Sequence, residues 1–210
     1  MRALDSLSMT YRDSLAYVVY YLSEMHPELE SKAGKARTEW YGVVPHLAPL
    51  AFFDGNVRSP QIPIPDSFYP IYRNMIDGAR AQQTFLEMTI DSSTTGIEPA
   101  LLHLGIRITP TDSSVDTMTT LRLVAIVYED GVPYYSMLRG DTVFSPMTVR
   151  QVIGDSFGIP IRLKFGQNFD TLLTTPVSDY NIDRVGVVVS VQNYLNRAVY
   201  QSVIKRKLKN

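Results

Sequence analysis

The sequence predicts an α/β unit followed by an antiparallel β-sandwich, and three observations carry that reading. Apolar residues recur at helical spacing before residue 80, they alternate with period two after residue 82, and turn-forming residues punctuate the second half at short intervals. The boundary falls near 80–84, which divides the chain into units 1–82 and 83–210.

In the first unit, Leu4, Leu7 and Tyr11 fall at i, i+3 and i+7, so residues 2–13 read as a short amphipathic helix. Residues 15–21 are a continuous apolar, β-branched and aromatic run, the pattern of a strand buried on both faces. Pro27 suits the first position of a helix. Leu29, Ala33, Ala36 and Trp40 then draw one apolar stripe along 28–40, and Gly42 supplies a left-handed stop. Residues 50–53 form the next strand, which Asp54-Gly55-Asn56 turns into a short segment at Val57 and Arg58. Pro60, Pro63 and Pro65 stiffen the connector. Asp66 or Ser67 caps a helix whose apolar face is Phe68, Ile71, Tyr72, Met75 and Ala79, with Pro70 tolerated in its first turn.

In the second unit Leu86, Met88 and Ile90 begin the alternation, and Ala100, Leu102, Leu104, Ile106 and Ile108 continue it. Leu121, Leu123, Ala125 and Val127 repeat the pattern before Glu129-Asp130-Gly131 turns the chain into a strand at 132–138. Further strands are expected at 143–152, 159–165, 169–174, 184–192 and 197–205. Eight or nine short strands with this spacing make a sandwich.

Composition narrows the function classes. The 210 residues are 45% hydrophobic and 20% charged, and 20 basic against 21 acidic residues leave a net charge of −1. No global field draws such a chain onto nucleic acid or an anionic membrane. The cluster Lys205, Arg206, Lys207 and Lys209 reads as a solvated end. There is no cysteine, so disulfides, thiolate metal sites and thiol nucleophiles are excluded within these residues. The apolar runs are shorter than the roughly 20 residues of a membrane span. The first residues lack the apolar core of a secretory signal, so the expectation is that any targeting segment was removed or lay elsewhere.

Glu39-Trp40-Tyr41-Gly42-Val43 followed by Pro49-Leu50-Ala51-Phe52-Phe53-Asp54-Gly55 resembles the helix, turn and proline-led strand of thioredoxin-like folds. Later pieces extend the likeness: residues 123–130, Val149-Arg150, and 187–193 ending in Gln192-Asn193. In this order they resemble the outer-membrane lipoprotein family named for a member of roughly 28 kDa, a likeness whose functional weight is that of fold analogy. In that family a thioredoxin-like domain precedes an immunoglobulin-like β-sandwich. The resemblance implies a truncated thioredoxin-like domain, lacking its first strand and C-x-x-C motif, ahead of such a sandwich. It also implies a cell-envelope or extracellular location and a non-enzymatic module that binds a protein or peptide. The alternative is the downstream portion of a thiol–disulfide oxidoreductase whose C-x-x-C lies upstream of Met1.

Two departures from the family pattern matter. The chain starts about where the C-x-x-C would have ended, and Phe144-Ser145-Pro146 stands where the family often has a histidine. The absent strand would be central, between 15–21 and the strand near Leu50, and each unpaired buried backbone group costs about 1–3 kcal/mol. The expectation is therefore that Met1 is an internal start or the edge of a truncation.

Among candidate sites, Ala48 and Pro49 come first: a cis bond there would expose backbone able to dock an extended peptide. The ordinary alternative is a trans proline opening a strand, since cis accounts for about 5–6% of X-Pro bonds. Trp40, Tyr41, Tyr69 and Tyr72 form a candidate interaction surface, with Tyr69 and Tyr72 alternatively packing against the sandwich. His26, His46 and His103 lack metal-site spacing and read as solvated. Glu28, Glu30 and Glu39 read as a solvated helix face. Asp112 and Asp116, like Asp54-Gly55-Asn56, lack the ligand density of a calcium loop and read as turns. No nucleophile elbow or phosphate loop is present. No catalytic residue, metal or cofactor is expected, and the sequence leaves the oligomeric state open.

Overall fold

A computed structural model describes residues 2–21, 26–43, 50–60, 68–94, 100–137 and 139–208. It is a mixed fold of few helices and many antiparallel strands. One sheet has the order β10-β4-β3, where β3 is Leu86–Thr94, β4 Leu101–Pro110 and β10 Phe169–Pro176. The other has the order β12-β11-β5-β8, with β5 Leu121–Glu129, β8 Thr148–Val152, β11 Val185–Asn193 and β12 Val199–Lys205. Between the sheets lie Leu86 and Met88, the even positions Leu102 to Ile108 of β4, and the odd positions of β5 and β11. That is the period-two alternation of the sequence turned into a core.

Two expected strands differ. The stretch 143–152 is broken at Met147, which has a φ of 44°, into β7 (Asp141–Ser145) and β8; β7 pairs with β6 (Val132–Ser136) as a separate two-stranded ribbon. In 159–165 the strand is confined to β9 (Ile159–Pro160), with one isolated bridge from Lys164 to Gln167, yet Ile161 and Leu163 still reach the core.

Strands β5 and β11 are buried along both faces. Antiparallel strands are often wet on one side, and here the N-terminal half supplies the second cover. Val124, Ile126, Tyr128, Val149, Val188 and Ile204 form an outer cluster with Ala33, on which Ala16, Tyr17, Val18 and Tyr20 pack half-buried. Residues 15–21 are thus not the doubly buried strand expected of them. They run extended across the sandwich and touch its edge through one parallel bridge: the Val19 N–H donates to the Met147 carbonyl at 2.9 Å, and Val149 N–H to the Val19 carbonyl at 3.0 Å. The apolar run is real, but its partner is a face of the sandwich.

The second stretch expected beside a central strand is elsewhere. β1 (Phe52–Phe53) pairs with β2 (Val57–Arg58) around Asp54 and Gly55. Gly55 has a φ of 75°, and a Cβ there would collide with the Arg197 carbonyl oxygen, so the turn lies directly against the β11–β12 connection. Val199 N–H donates to the Asp54 carbonyl at 2.8 Å.

The helix expected over 28–40 is also divided. A 3-10 turn at Pro27–Leu29 precedes α2, Lys32–Trp40, whose N-cap is Ser31 with its hydroxyl accepting from Gly34 N–H at 3.0 Å. α1 (Arg2–Tyr11) and α3 (Phe68–Arg80) pair around Leu7, Tyr72 and Ile76, and the Tyr11 hydroxyl donates to Asp77 Oδ1 at 2.6 Å. Asp66 and Ser67 lie outside the described residues.

Two arginines fasten the halves. Arg150 donates from Nε and Nη2 to Glu129 Oε2 at 2.8 and 2.7 Å, and from Nη1 to the Glu28 carbonyl at 2.6 Å. Arg206, expected in a solvated tail, instead donates from Nη2 to the carbonyls of Arg12 and Leu15. A basic side chain at the end of an edge strand thus reaches the carbonyls of the segment that follows α1.

The buried layer makes an alkaline prediction. Burial pushes the phenols of Tyr17 and Tyr128 well above their ordinary value, and pushes Tyr21 up to about 12. The folded state therefore keeps protons that the unfolded chain releases above about pH 10, so this contribution is complete below that pH and is lost as pH rises through the folded values. Raising pH from about 9 to about 12 should unfold the protein, with tyrosinate absorbance near 295 nm rising together with loss of the circular dichroism signal. Tyr128→Phe should move that midpoint upward.

Candidate functional site

α2 ends on the sandwich at a cluster of rings and guanidinium groups. Ala33, Gly34, Arg37 and Thr38 are the buried face of this helix, which shifts the buried stripe from the expected 29, 33, 36 and 40 and turns Arg37 inward. Arg37 is 3% exposed. Its Nη2 donates to Gln192 Oε1 at 2.8 Å and its Nη1 to the Ser156 carbonyl at 3.2 Å, so one side chain joins α2 to β11 and to the loop before β9. Its cation lies 5.8, 5.4 and 5.7 Å from the ring centroids of Tyr20, Trp40 and Tyr41.

No carboxylate pairs with Arg37 among the described residues, and its Nε has no hydrogen-bond acceptor. Burial opposes the charge, but Tyr20 and Tyr41 beside the guanidinium outweigh that, and the group titrates above its ordinary value. It remains a cation throughout the range where proteins fold.

Gln192, 1% exposed, completes the junction: its Nε2 donates to the Tyr41 hydroxyl at 2.9 Å and to the Arg197 carbonyl at 2.7 Å. Trp40 stacks on Tyr194 with centroids 5.7 Å apart and planes inclined by 20°, and meets Phe157 edge-on at 5.6 Å. Arg197 lies 5.6 Å from the Trp40 ring, and Arg122 lies 4.8 Å from that of Tyr194. Tyr41 in turn packs on Phe52 of β1 at 4.7 Å. Trp40, Tyr41, Phe157 and Tyr194 are each half-buried, so the cluster is rooted in the fold and still presents ring surface to solvent.

Of the other sequence candidates, Ala48 and Pro49 lie outside the described residues, as does His46. Tyr72 is 6% exposed and packs with Phe53, Phe68, Leu7 and Ile76, and Tyr69 packs half-buried against the same cluster. They brace α3 against α1 and β1. His26 meets Tyr134 edge-on and lies 3.5 Å from Glu28, while His103 Nδ1 is 3.1 Å from the Thr174 hydroxyl. Asp112 accepts from Ser114 N–H, and Asp116 from Phe165 N–H. Among the described residues no group of three His, Cys, Asp or Glu side chains is placed to hold a metal ion, and no helix is long and apolar enough to cross a membrane.

Arg37, Arg197, Tyr194 and Phe157 were missed by sequence reasoning. One signal was present: Ser190 and Gln192 are the polar members of the even face of β11, which therefore needed a cover with its own hydrogen-bonding groups.

No family model and no curated protein matches the chain. Among solved structures, HBP35 of Porphyromonas gingivalis is similar, with a TM-score of 0.58 at 14% identity over 67% of this chain and 46% of that one. The chain thus spans less than half the length of that protein, and the likeness concerns the fold. A domain of the outer membrane lipoprotein Omp28 from the same organism matches with a TM-score of 0.40 at 13% identity, over 60% of this chain and 90% of that domain.

If Arg37 anchors α2, Arg37→Met, which keeps the stem and deletes the donors, should cost about 2–3 kcal/mol in denaturant unfolding. Arg37→Lys should recover less than half of that, because an ammonium cannot span Gln192 and Ser156 together.

Proposed function

We propose that the chain is a non-enzymatic cell-envelope module that binds an extended segment of another protein at the surface around Trp40. The observation that carries this is the Trp40 cluster itself. The only tryptophan of the chain stands half-exposed among Tyr41, Phe157 and Tyr194, flanked by guanidinium groups and held from beneath by the Arg37–Gln192 bonds. Rigid aromatic and arginine anchors of this kind dominate the energetics of protein interfaces. The likeness to HBP35 supports the architecture.

The finer reading, an immunoglobulin-like sandwich following the remnant of a thioredoxin-like unit, rests on the motif order 40–43, 49–55, 123–130 and 187–193. The envelope placement rests on the same resemblance. The alternative of a thiol–disulfide oxidoreductase has no reactive group within these residues, since the chain has no cysteine.

The test is fluorescence anisotropy of a labelled, unfolded and thiol-capped model polypeptide titrated with the protein. Binding should saturate and should perturb Trp40 emission. Trp40→Ala should weaken it at least tenfold, as expected of a central anchor worth more than about 1 kcal/mol, while Trp40→Phe weakens it less. Binding unaltered by Trp40→Ala in a natively folded variant, or no binding up to about 100 μM, a limit near −5.5 kcal/mol, contradicts the proposal.

A further inference from the structure

A second surface, lined by other residues than the Trp40 cluster, lies between α3 and the β1–β2 turn. Phe53, Val57, Met75 and Ala79 line a cleft of about 240 Å³ together with Gly78, Asp54, Asn74 and Gln82. This is smaller than the roughly 300–1,000 Å³ of pockets for drug-sized ligands, and suits a single side chain. Gly78 stands inside a helix, where glycine costs stability, and a Cβ there would meet nothing within 4 Å. The helix wall is thus recessed at the cleft.

Asp54 adds a charge without a counter-charge. Among the described residues its carboxylate has no ion pair and no hydrogen bond, and partial desolvation raises its pKa. Its φ of 44° holds it at the turn beside Phe53. The cleft therefore combines an apolar wall with three residues that carry side-chain acceptor oxygens: Asp54, Asn74 and Gln82.

We infer that this cleft takes a lysine side chain of an extended peptide, the methylene stem along Phe53, Val57 and Met75 and the ammonium at Asp54. Three acceptors match the three donors of an ammonium, and an apolar wall suits its four-carbon stem. This rests on the peptide-binding reading above but uses other residues.

The test uses the 15N-labelled full chain and three blocked pentapeptides, Ala-Ala-X-Ala-Ala with X lysine, norleucine or arginine. The lysine peptide should shift the amide signals of Gly55 and Gly78, with the norleucine and arginine peptides at least tenfold weaker. Asp54→Asn, which tolerates the left-handed turn, should abolish the preference for lysine over norleucine. Gly78→Leu should fill the recess and block binding. Equal binding of lysine and norleucine, tighter binding of arginine, binding that survives Gly78→Leu, or no shift at millimolar lysine peptide overturns the assignment. Polypeptide binding that still depends on Trp40 in the Gly78→Leu variant separates failure here from failure of the Trp40 surface.

Discussion

Val124, Ile126, Tyr128, Val188 and Ile204 form an apolar outer face on the four-strand path β12-β11-β5-β8, and covering that face organises the N-terminal half. Each such side chain gains about 1.5–3 kcal/mol from full burial, so an uncovered face would forfeit a large share of the stability of a domain. Residues 15–21 and the inward face of α2 provide the cover. Gly186 shows how close the fit within the sheet is, since a Cβ there would run into the Tyr128 ring and the Lys205 carbonyl.

A cover needs fastening where it meets polar ground. At one end the Arg150–Glu129 pair holds the turn at Glu28, and at the other Arg37 and Gln192 hold the end of α2. Arg37 is the more unusual of the two, a cation inside the protein held by carbonyl oxygens and ring faces instead of a carboxylate. Such an arrangement avoids burying a second charge. It also leaves Trp40 fixed in orientation, and fixed aromatic surface loses less entropy when a partner binds. Under the proposed function, the side chains that fasten the cover also hold in place the aromatic surface that binds.

The sandwich was legible because its strands face two different environments, and period-two alternation records that difference at every residue of β3 and β4. Gly42 and Gly55 were legible for a comparable local reason, their positive φ. The stretch 15–21 was not. An apolar run records burial without naming what does the burying, and a strand between strands looks the same as an extended segment laid on a sheet. The break at Glu30 and Ser31 was hidden by a stripe that still counted out over Leu29 and Ala33. Arg37 was hidden for a chemical reason: a long basic side chain is assigned to solvent by default, and only the tertiary partners Tyr20, Ser156 and Gln192 bring it inside. The roles of Tyr69 and Tyr72 likewise follow from α1, whose approach to α3 no local pattern announces.

If the cover and the sandwich stabilise one another as this packing implies, they unfold together. Trp40, on the cover but stacked on Tyr194 of the sandwich, reports on the docking of the two, and far-ultraviolet circular dichroism reports mainly on the strands. Equilibrium unfolding in urea followed by both signals should give coincident curves with one midpoint. An early loss of native Trp40 emission, with the strand signal unchanged until a separate and later transition, would contradict the mutual dependence of the two halves.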